Sequence, residues 1–372
     1  MRYLGLMSGT SADGIDAALL HIRDGVPALE ATLSQPLPGR LARQIRAVSR
    51  HPTGGTLDAA LTLDLQLGTC FARTALALIR RASYRSSDIR AIGLHGQTLR
   101  HRPKHRHPYS LQMANAQRVA LETGIVTVAD WRMRDILLGG EGAPLVPLFH
   151  AAQFSASNET RAVLNLGGIA NLTLLDTAGR IVAGFDCGPA NCLMDAWTRQ
   201  HQGRSHDADG AWARTGRVLP NLLMWMLGDP YFAARPPKST GLDRFNPTWL
   251  QQGLAKLDAP MAPADVQRTL LELTVESVAA ALAQQQITPA APQRLLVCGG
   301  GAHNGFVMER LADRLAPVPV ASTAALGWDP EWIEAAAFAW LAYRTLNGEP
   351  GNAPTVTGAR RAGIMGAVFL PG

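Results

Sequence analysis

Four cysteines are few for a chain of 372 residues, and they stand apart at Cys70, Cys187, Cys192 and Cys298. No C-x-x-C pair occurs, and the spacing of Cys187 and Cys192 does not suit a zinc knuckle. So little cysteine without a disulfide pattern suits a reducing compartment, so a cytoplasmic location is expected. No basic-then-apolar leader is present, since Met1-Arg2 runs straight into the first apolar segment. No apolar run approaches the length of a membrane span. No G-x-x-x-x-G-K-[ST] occurs, which excludes a P-loop, and the G-x-G-x-x-G spacing that begins at Gly299 fails at Asn304. Charged residues make up only 17%, and the net charge of +6 comes from 35 basic against 29 acidic residues. That excess fits anionic small molecules as well as nucleic acid. The densest basic stretch, Arg100 to His107, is short and broken by Pro103. It reads as a solvated loop rather than a nucleic-acid patch. Neither a nucleic-acid nor a membrane partner is expected.

The composition that remains is globular, 47% hydrophobic. A chain of this length exceeds one ordinary core and points to two domains. The most informative stretch is Leu4 to Leu20, LGLMSGTSADGIDAALL. An apolar run (Tyr3 to Met7) ends in Ser8-Gly9-Thr10-Ser11; Asp13-Gly14 follows, and a second apolar run spans Ile15 to Ile22. Two apolar runs around such a turn read as a β-hairpin. Backbone N–H groups of a tight Gly-containing turn can point inward and cradle an anion, and the three hydroxyls add neutral donors. A carboxylate beside a phosphate would repel it without an intervening cation. Asp13 therefore suggests Mg²⁺, held directly or through water.

Further along, Leu29 to Leu33 reads as a third antiparallel strand, and 38–50 and 57–82 as helices. The second helix places Leu57, Leu61, Leu65, Gly68 and Ala72 on one stripe. A strand over Arg90 to Leu94 ends at His95-Gly96-Gln97-Thr98. Ser110 to Met113 is another strand, and Asn115 to Thr123 a helix closed by Gly124. A strand over Ile125 to Ala129 ends at Asp130-Trp131-Arg132. Ligands gather at strand ends in open α/β sheets, which makes these polar clusters candidates. Residues 134–147 are rich in Gly and Pro and suggest a domain boundary. Residues 161–175 then repeat the opening pattern: apolar run, Gly-Gly turn with Asn165 and Asn171, apolar run. Ile181 to Phe185 is a third strand ending at Asp186, with a helix starting at Pro189. Asp186 at that place is either a proton acceptor or a helix N-cap. A helix over 263–286 precedes a strand, Leu295 to Cys298, which runs into Gly299-Gly300-Gly301 and a helix over 305–315. Strand, glycine turn, helix is a phosphate-facing geometry. A helix over Glu331 to Leu346 and a strand over Gly363 to Leu370 close the chain.

Two halves that each open with a Gly-turn hairpin resemble the sugar kinase, heat-shock 70 and actin superfamily. The resemblance implies an α/β fold of two ribonuclease H-like domains, mixed sheets flanked by helices, with nucleotide in the cleft between them. The expected boundaries are 1–133, with about 347–372 returning to that domain, and 134–346. A narrower resemblance rests on GLMSGTSADGID (5–16), HGQT (95–98), ADWR (129–132), GAPLVP (142–147), LNLGGIAN (164–171), FDCGPAN (185–191), KSTG (238–241) and CGGGAHN (298–304). This series is similar to that of anhydro-N-acetylmuramic acid kinases and spans nearly the whole chain in order.

The resemblance implies an ATP-dependent phosphotransferase of peptidoglycan recycling, working as a cytoplasmic homodimer. It would open 1,6-anhydro-N-acetylmuramic acid with water and phosphorylate O6, giving N-acetylmuramic acid 6-phosphate and ADP. The resemblance makes Asp186 the base that takes the water's proton. It puts Gly9, Thr10, Ser11, Ala12, Asp13, Gly14, Ile15 and Asp16 on the nucleotide, with Asp13 on Mg²⁺. Asn165, Gly167, Gly168 and Asn171 become a second phosphate loop, and Gly299, Gly300, Gly301 and Asn304 flank the adenosine. An Arg holds a carboxylate through two parallel hydrogen bonds, so Arg132 suits the lactyl group of that sugar. Asp130 would accept from a sugar hydroxyl, with His95, Gln97, Thr98 and Glu334 in reach of the same ligand. The rival readings are another sugar kinase or a phosphate-ester hydrolase of the superfamily, and a non-enzymatic ATP-driven chaperone or filament protein. The last would require a peptide-binding domain or polymer surface, which the sequence does not suggest.

Overall fold

The first apolar run forms strand β1 (Arg2–Ser8), with Tyr3, Leu4 and Leu6 buried. A strand covered on both faces needs a continuous rather than an alternating apolar sequence, and this run supplies it. The computed structural model describes residues 1–9, 12–50, 56–257, 261–284 and 292–372. Strand β2 (Gly14–Arg23) returns antiparallel, with Leu4 opposite Leu19 and Met7 opposite Asp16. Strand β3 (Val26–Pro36) extends the meander as an edge, well beyond the expected Leu29 to Leu33. On the other side of β1, strand β4 (Ile89–Arg102) runs parallel to it. Strand β5 (Tyr109–Met113) folds back antiparallel on the far half of β4, and β6 (Thr127–Ala129) lies parallel to its near half.

The second sheet is built from β7 (Arg161–Leu166), β8 (Ile169–Leu175), β9 (Ile181–Pro189), β10 (Arg294–Cys298) and β11 (Val320–Ser322). Strand β12 (Ala367–Phe369) returns to the first sheet, antiparallel to β6. The strand orders are β12-β6-β4-β1-β2-β3, with β5 also on β4, and β11-β10-β7-β8-β9. In both, an antiparallel three-strand meander is followed on its first-strand side by two parallel strands. This is the ribonuclease H-like order, present twice, so the repeat expected from the two hairpins holds through five strands of each sheet.

The chain divides into one unit of Met1–Phe149 with Trp332–Gly372 and another of His150–Glu331. The expected boundaries at 133/134 and 346/347 fall inside the first unit. Two features account for the shift. The helix Ile333–Leu346 packs against β1 and β4 so closely that a Cβ on Gly5 would strike the Ala335 carbonyl, and one on Gly93 the Phe338 carbonyl. Residues 134–147 are tied to the C-terminal segment by Asp135, which is fully buried. Its Oδ1 accepts from Asn352 Nδ2 (2.6 Å) and Thr357 Oγ1 (2.8 Å), and its Oδ2 accepts from Gly142 N (2.7 Å).

Each unit has its own core, formed around Leu4, Leu6, Leu67, Phe71 and Ile92 in the first and Leu164, Phe185, Leu271 and Val297 in the second. In the helix Leu57–Arg81 the buried stripe is Leu63, Leu67, Phe71, Ala75 and Leu78, joined by Gly68 and Ala72. The expected Leu57, Leu61 and Leu65 are instead 73%, 54% and 44% exposed. Two apolar stripes compete on this helix, and the one carrying Phe71 offers more area to bury. The glycine constraint makes the fold testable. Gly93→Ala is expected to lose about 3 kcal/mol or more in chemical denaturation, because the obstructing atom is backbone. Gly39→Ala, where a Cβ meets nothing closer than 3.7 Å, should match the parent protein. Equal stability of the two variants would contradict the close approach.

Candidate active site

In the first unit the hairpin leaves β1 at Ser8, which is buried. Ser8 Oγ lies 2.7 Å from Gly14 O and 2.8 Å from Gln97 Oε1. Its single hydrogen can serve only one of them at a time. Gln97 Nε2 donates to Gly9 O at 3.1 Å. Inside the turn, Ala12 N donates to Gly9 O, and Ala12 is buried with φ of 52°. A left-handed non-glycine residue with no exposure is a held, costly conformation. Asp13 at the tip is exposed. Thr10 and Ser11 lie outside the described residues.

His95, Gln97 and Thr98 do not end a strand, as the sequence suggested; they lie inside β4. The short apolar run stops at Leu94, but pairing with β1 and β5 carries the strand on to Arg102. Gly96, at φ of 77°, marks an irregularity in the pairing with β1. His95 is buried against Phe338, with ring centroids 4.5 Å apart. Its Nδ1–H donates to Gly96 O (2.9 Å), which leaves Nε2 to accept from Arg132 Nη2 (3.0 Å). Burial, helped by the guanidinium, lowers its pKa to about 3, so the ring is neutral. Arg132 Nη1 also donates to Gly142 O at 3.0 Å.

Asp130 begins the helix Trp131–Leu137 in a left-handed conformation without capping it. Partial desolvation raises its carboxyl above the usual range against the pull of Arg134, although the residue keeps solvent contact. Glu334, in the first turn of the helix Ile333–Leu346, is pushed up to about 7. Burial is the main cause; Arg132 pulls the value down and Asp16 pushes it up. Asp16, His95, Arg132 and Glu334 thus form one electrostatic group drawn from four elements.

In the second unit the register sets Cys298, Asn165, Asn171 and Asp186 in one row across β10, β7, β8 and β9. Directly opposed residues share a face, so three expected site residues are neighbours. Asn165 is 5% exposed, and its Oδ1 has no hydrogen-bond partner among the described residues. It sits where a Cβ on Gly299 would collide with it, which explains that glycine and its φ of 80°. The Gly167-Gly168 turn spends its carbonyls on the helix Asn191–Gln202. Gly167 O accepts from Asn191 N, and Gly168 O from Ala190 N and Cys192 N. That helix starts at Asn191, since Pro189 still belongs to β9.

Asp186 is therefore neither at a strand end nor a helix cap. It lies within β9 beside a register shift in the β8 pairing. Its N–H donates to Lys238 O (3.2 Å), its carbonyl accepts from Tyr231 Oη (2.7 Å), and its Oδ2 accepts from Thr240 N (2.9 Å). Asn304 caps its own helix, accepting from Val307 N at 3.1 Å, while Asp209 Oδ1 accepts from Gly305 N at 2.8 Å. Those two amides at the start of the helix Gly305–Leu315 are thus already engaged. Gly300 is exposed, with open space where a Cβ would stand. Among the described residues no group of three or more His, Cys, Asp or Glu side chains could hold a metal. None of the helices there is long and apolar enough to cross a membrane.

A family model described as anhydro-N-acetylmuramic acid kinase matches residues 1–371. The chain belongs to that family. A curated anhydro-N-acetylmuramic acid kinase of Xanthomonas campestris is 48% identical over 370 residues, 99% of this chain and 97% of that protein. One from Saccharophagus degradans is 45% identical over 372 residues, 99% of each. This makes the chain an enzyme, a sugar kinase that draws its phosphoryl group from ATP. The fold likeness reaches further. Component A of the (R)-2-hydroxyglutaryl-CoA dehydratase of Acidaminococcus fermentans superposes with a TM-score of 0.50 at 12% identity, covering 93% of this chain and 99% of that one. A chain of the PilM–PilN type IV pilus biogenesis complex gives 0.50 at 13% identity, covering 91% and 98%.

Sequence reasoning missed Lys238 as an individual residue, although KSTG was among the motifs quoted. A lysine flanked by prolines and small polar residues reads as loop, yet it is 8% exposed. The state of His95 can be checked directly. Its imidazole should remain the neutral Nδ1–H tautomer from pH 8 to pH 5 in nitrogen-15 NMR. Because its folded pKa is depressed below the unfolded value, the stability it contributes is lost as pH falls below about 6.5. An imidazolium signal at pH 6 would contradict the Arg132 contact.

Proposed function

We propose that this kinase opens the 1,6-anhydro ring of 1,6-anhydro-N-acetylmuramic acid with water while phosphorylating O6, in the recycling of peptidoglycan. Water attacks C1 and the C1–O6 bond breaks. O6 attacks the γ-phosphorus of ATP, and the bridging oxygen leaves with ADP. The products are N-acetylmuramic acid 6-phosphate and ADP. Asp186 takes the proton of the attacking water. The observation that carries this reading is the hold on Asp186: main-chain N–H, main-chain carbonyl and one carboxylate oxygen each have a partner in residues 231–240. A base whose oxygen is fixed by an amide loses no time to rotation before it accepts a proton.

Phosphoryl transfer asks mainly for positioning and charge neutralisation. Gly9, Ala12, Asp13, Gly14, Ile15 and Asp16, with Thr10 and Ser11, serve the phosphates from the first hairpin. Asn165, Gly167, Gly168 and Asn171 do so from the second, and Gly299, Gly300, Gly301 and Asn304 flank the adenosine. An exposed carboxylate suits Mg²⁺, which keeps several waters and takes one or two protein oxygens beside the phosphates. Asp13 is that carboxylate, and the ion would neutralise charge on the transferred group. Arg132 pairs with the lactyl carboxylate, and Asp130, Glu334, His95, Gln97 and Thr98 serve the sugar. The same reading expects a homodimer working in the cytoplasm.

Asp186→Asn is expected to lower kcat by about 10²- to 10⁴-fold while ATP binding persists. Parental turnover in that variant would end the assignment. With labelled water, the parent protein should place label in the C1 hydroxyl of the phosphorylated product; label in phosphate would point to ATP hydrolysis instead. Glu334 accepts from a sugar hydroxyl more strongly when ionised, so sugar binding should weaken as pH falls below about 7. Glu334→Gln should remove that dependence, and a Gln variant that keeps the same pH limb would assign it elsewhere.

A further inference from the structure

Lys238 is the most deeply buried lysine near the row that carries Asp186, at 8% exposure. It lies between the short helix Pro230–Ala233 and the helix Pro247–Leu254. Its Nζ donates to Tyr231 O (3.2 Å) and Phe232 O (3.4 Å). The ammonium also stands 4.8 Å from the Tyr231 ring centroid and 6.0 Å from that of Phe185. Buried cations are costly unless carbonyls, rings or counter-charges receive them, and this one meets carbonyls, rings and the charge of the nearby Asp186.

The same two stretches of chain hold Asp186. Tyr231 Oη donates to its carbonyl, Lys238 O accepts its N–H, and Thr240 N donates to its Oδ2. The Lys238 side chain therefore bridges the two ends of a strap, residues 231–240, that grips Asp186 at three atoms. Sheet pairing alone does not fix that position, because the β8–β9 register shifts between Ala170 and Asn171, next to the Asp186 partner. The intervening chain holds Pro236 and Pro237 and contributes no regular structure between Ala234 and Gly241. Removing the clip would leave Asp186 in its strand but loosen the Thr240 amide that orients the carboxylate.

We propose that Lys238 is a positioning residue: its buried ammonium closes the 231–240 strap and so aims the Asp186 carboxylate. The inference rests on the reading of Asp186 as the base. Lys238→Met keeps most of the unbranched side chain, one atom shorter, and removes its donors. It should lower kcat about 10²-fold, the scale of a misplaced catalytic group, with KM for sugar and for ATP within about threefold of the parent. A merely structural lysine would lower stability and leave kcat per folded molecule alone. The double variant Lys238→Met with Asp186→Asn should be no slower than Asp186→Asn, since the lysine acts through that carboxylate. In Lys238→Ala, methylammonium should raise kcat with saturation, whereas tetramethylammonium, which has no N–H to donate, should not.

Parental kcat in Lys238→Met, a change confined to KM, additive losses in the double variant, or equal effects of the two amines would each overturn the proposal. If Lys238→Met fails to fold, the Lys238→Ala amine comparison decides alone. The two readings separate cleanly. An active Asp186→Asn defeats the base assignment, whereas an inactive Asp186→Asn beside an active Lys238→Met defeats only the role of Lys238.

Discussion

A helix backbone can lie directly on a β-strand only where the strand has no side chain, and Gly5 and Gly93 provide that on adjacent strands of the first sheet. Much of the first unit follows from this contact. It seats the helix Ile333–Leu346 so deeply that nearly all of its residues from Ile333 to Ala342 are buried. It draws the last segment of the chain into the unit formed by the first 149 residues. It also brings Glu334 down beside Arg132 and Asp16, where desolvation outweighs the stabilisation that a helix N-terminus offers a carboxylate. Phe338, one turn on, becomes the surface against which His95 stacks.

The two sheets share a strand order but not a chemistry. Across the first sheet the row at the hairpin reads Gly96, Met7, Asp16, Ser34; across the second it reads Cys298, Asn165, Asn171, Asp186. Asp16 and Asn171 occupy the same place, third in the returning strand. Ser34 and Asp186 occupy the same place in the meander's third strand. The acid therefore sits one strand further out in the second unit, where the neighbouring row is amides rather than an apolar side chain. The units share a scaffold, and the strand that carries the carboxylate in this row is one difference between them.

How much of this was legible varied with the kind of signal. Hairpins, helix spans and the strand before Gly299 follow from apolar runs and turn residues, which are local. Strand lengths were underestimated at β4 and β9 because pairing, not composition, carries those strands through His95–Thr98 and Asp186. The wrong stripe on the helix Leu57–Arg81 came from periodicity that two faces satisfied. The unit boundary was missed because Gly5, Gly93 and Asp135 exert their effect through partners more than 200 residues away in the chain. Residue types were legible through the motif series; the partners of Asp186 were not, since the irregular, Pro-Pro-containing strap gives no periodic signal.

Charge in the first unit is arranged by exclusion of water rather than by pairing alone. Were His95 an imidazolium, Nε2 would become a donor and would face the Arg132 guanidinium as a like charge. Burial prevents this by holding the ring neutral, and the Gly96 carbonyl fixes the tautomer. Arg132 is then oriented at one end by a neutral ring and at the other by the Gly142 carbonyl, whose own amide is bound by Asp135. The two hydrogen bonds go to neutral acceptors, while the Glu334 carboxyl is the charged group that interacts with Arg132. The buried Asp135 does its work one step back, on the backbone that carries the acceptor. The buried Asp135 and the Arg132 guanidinium are thus tied to the same residue, Gly142, and a change that loosens it acts on both.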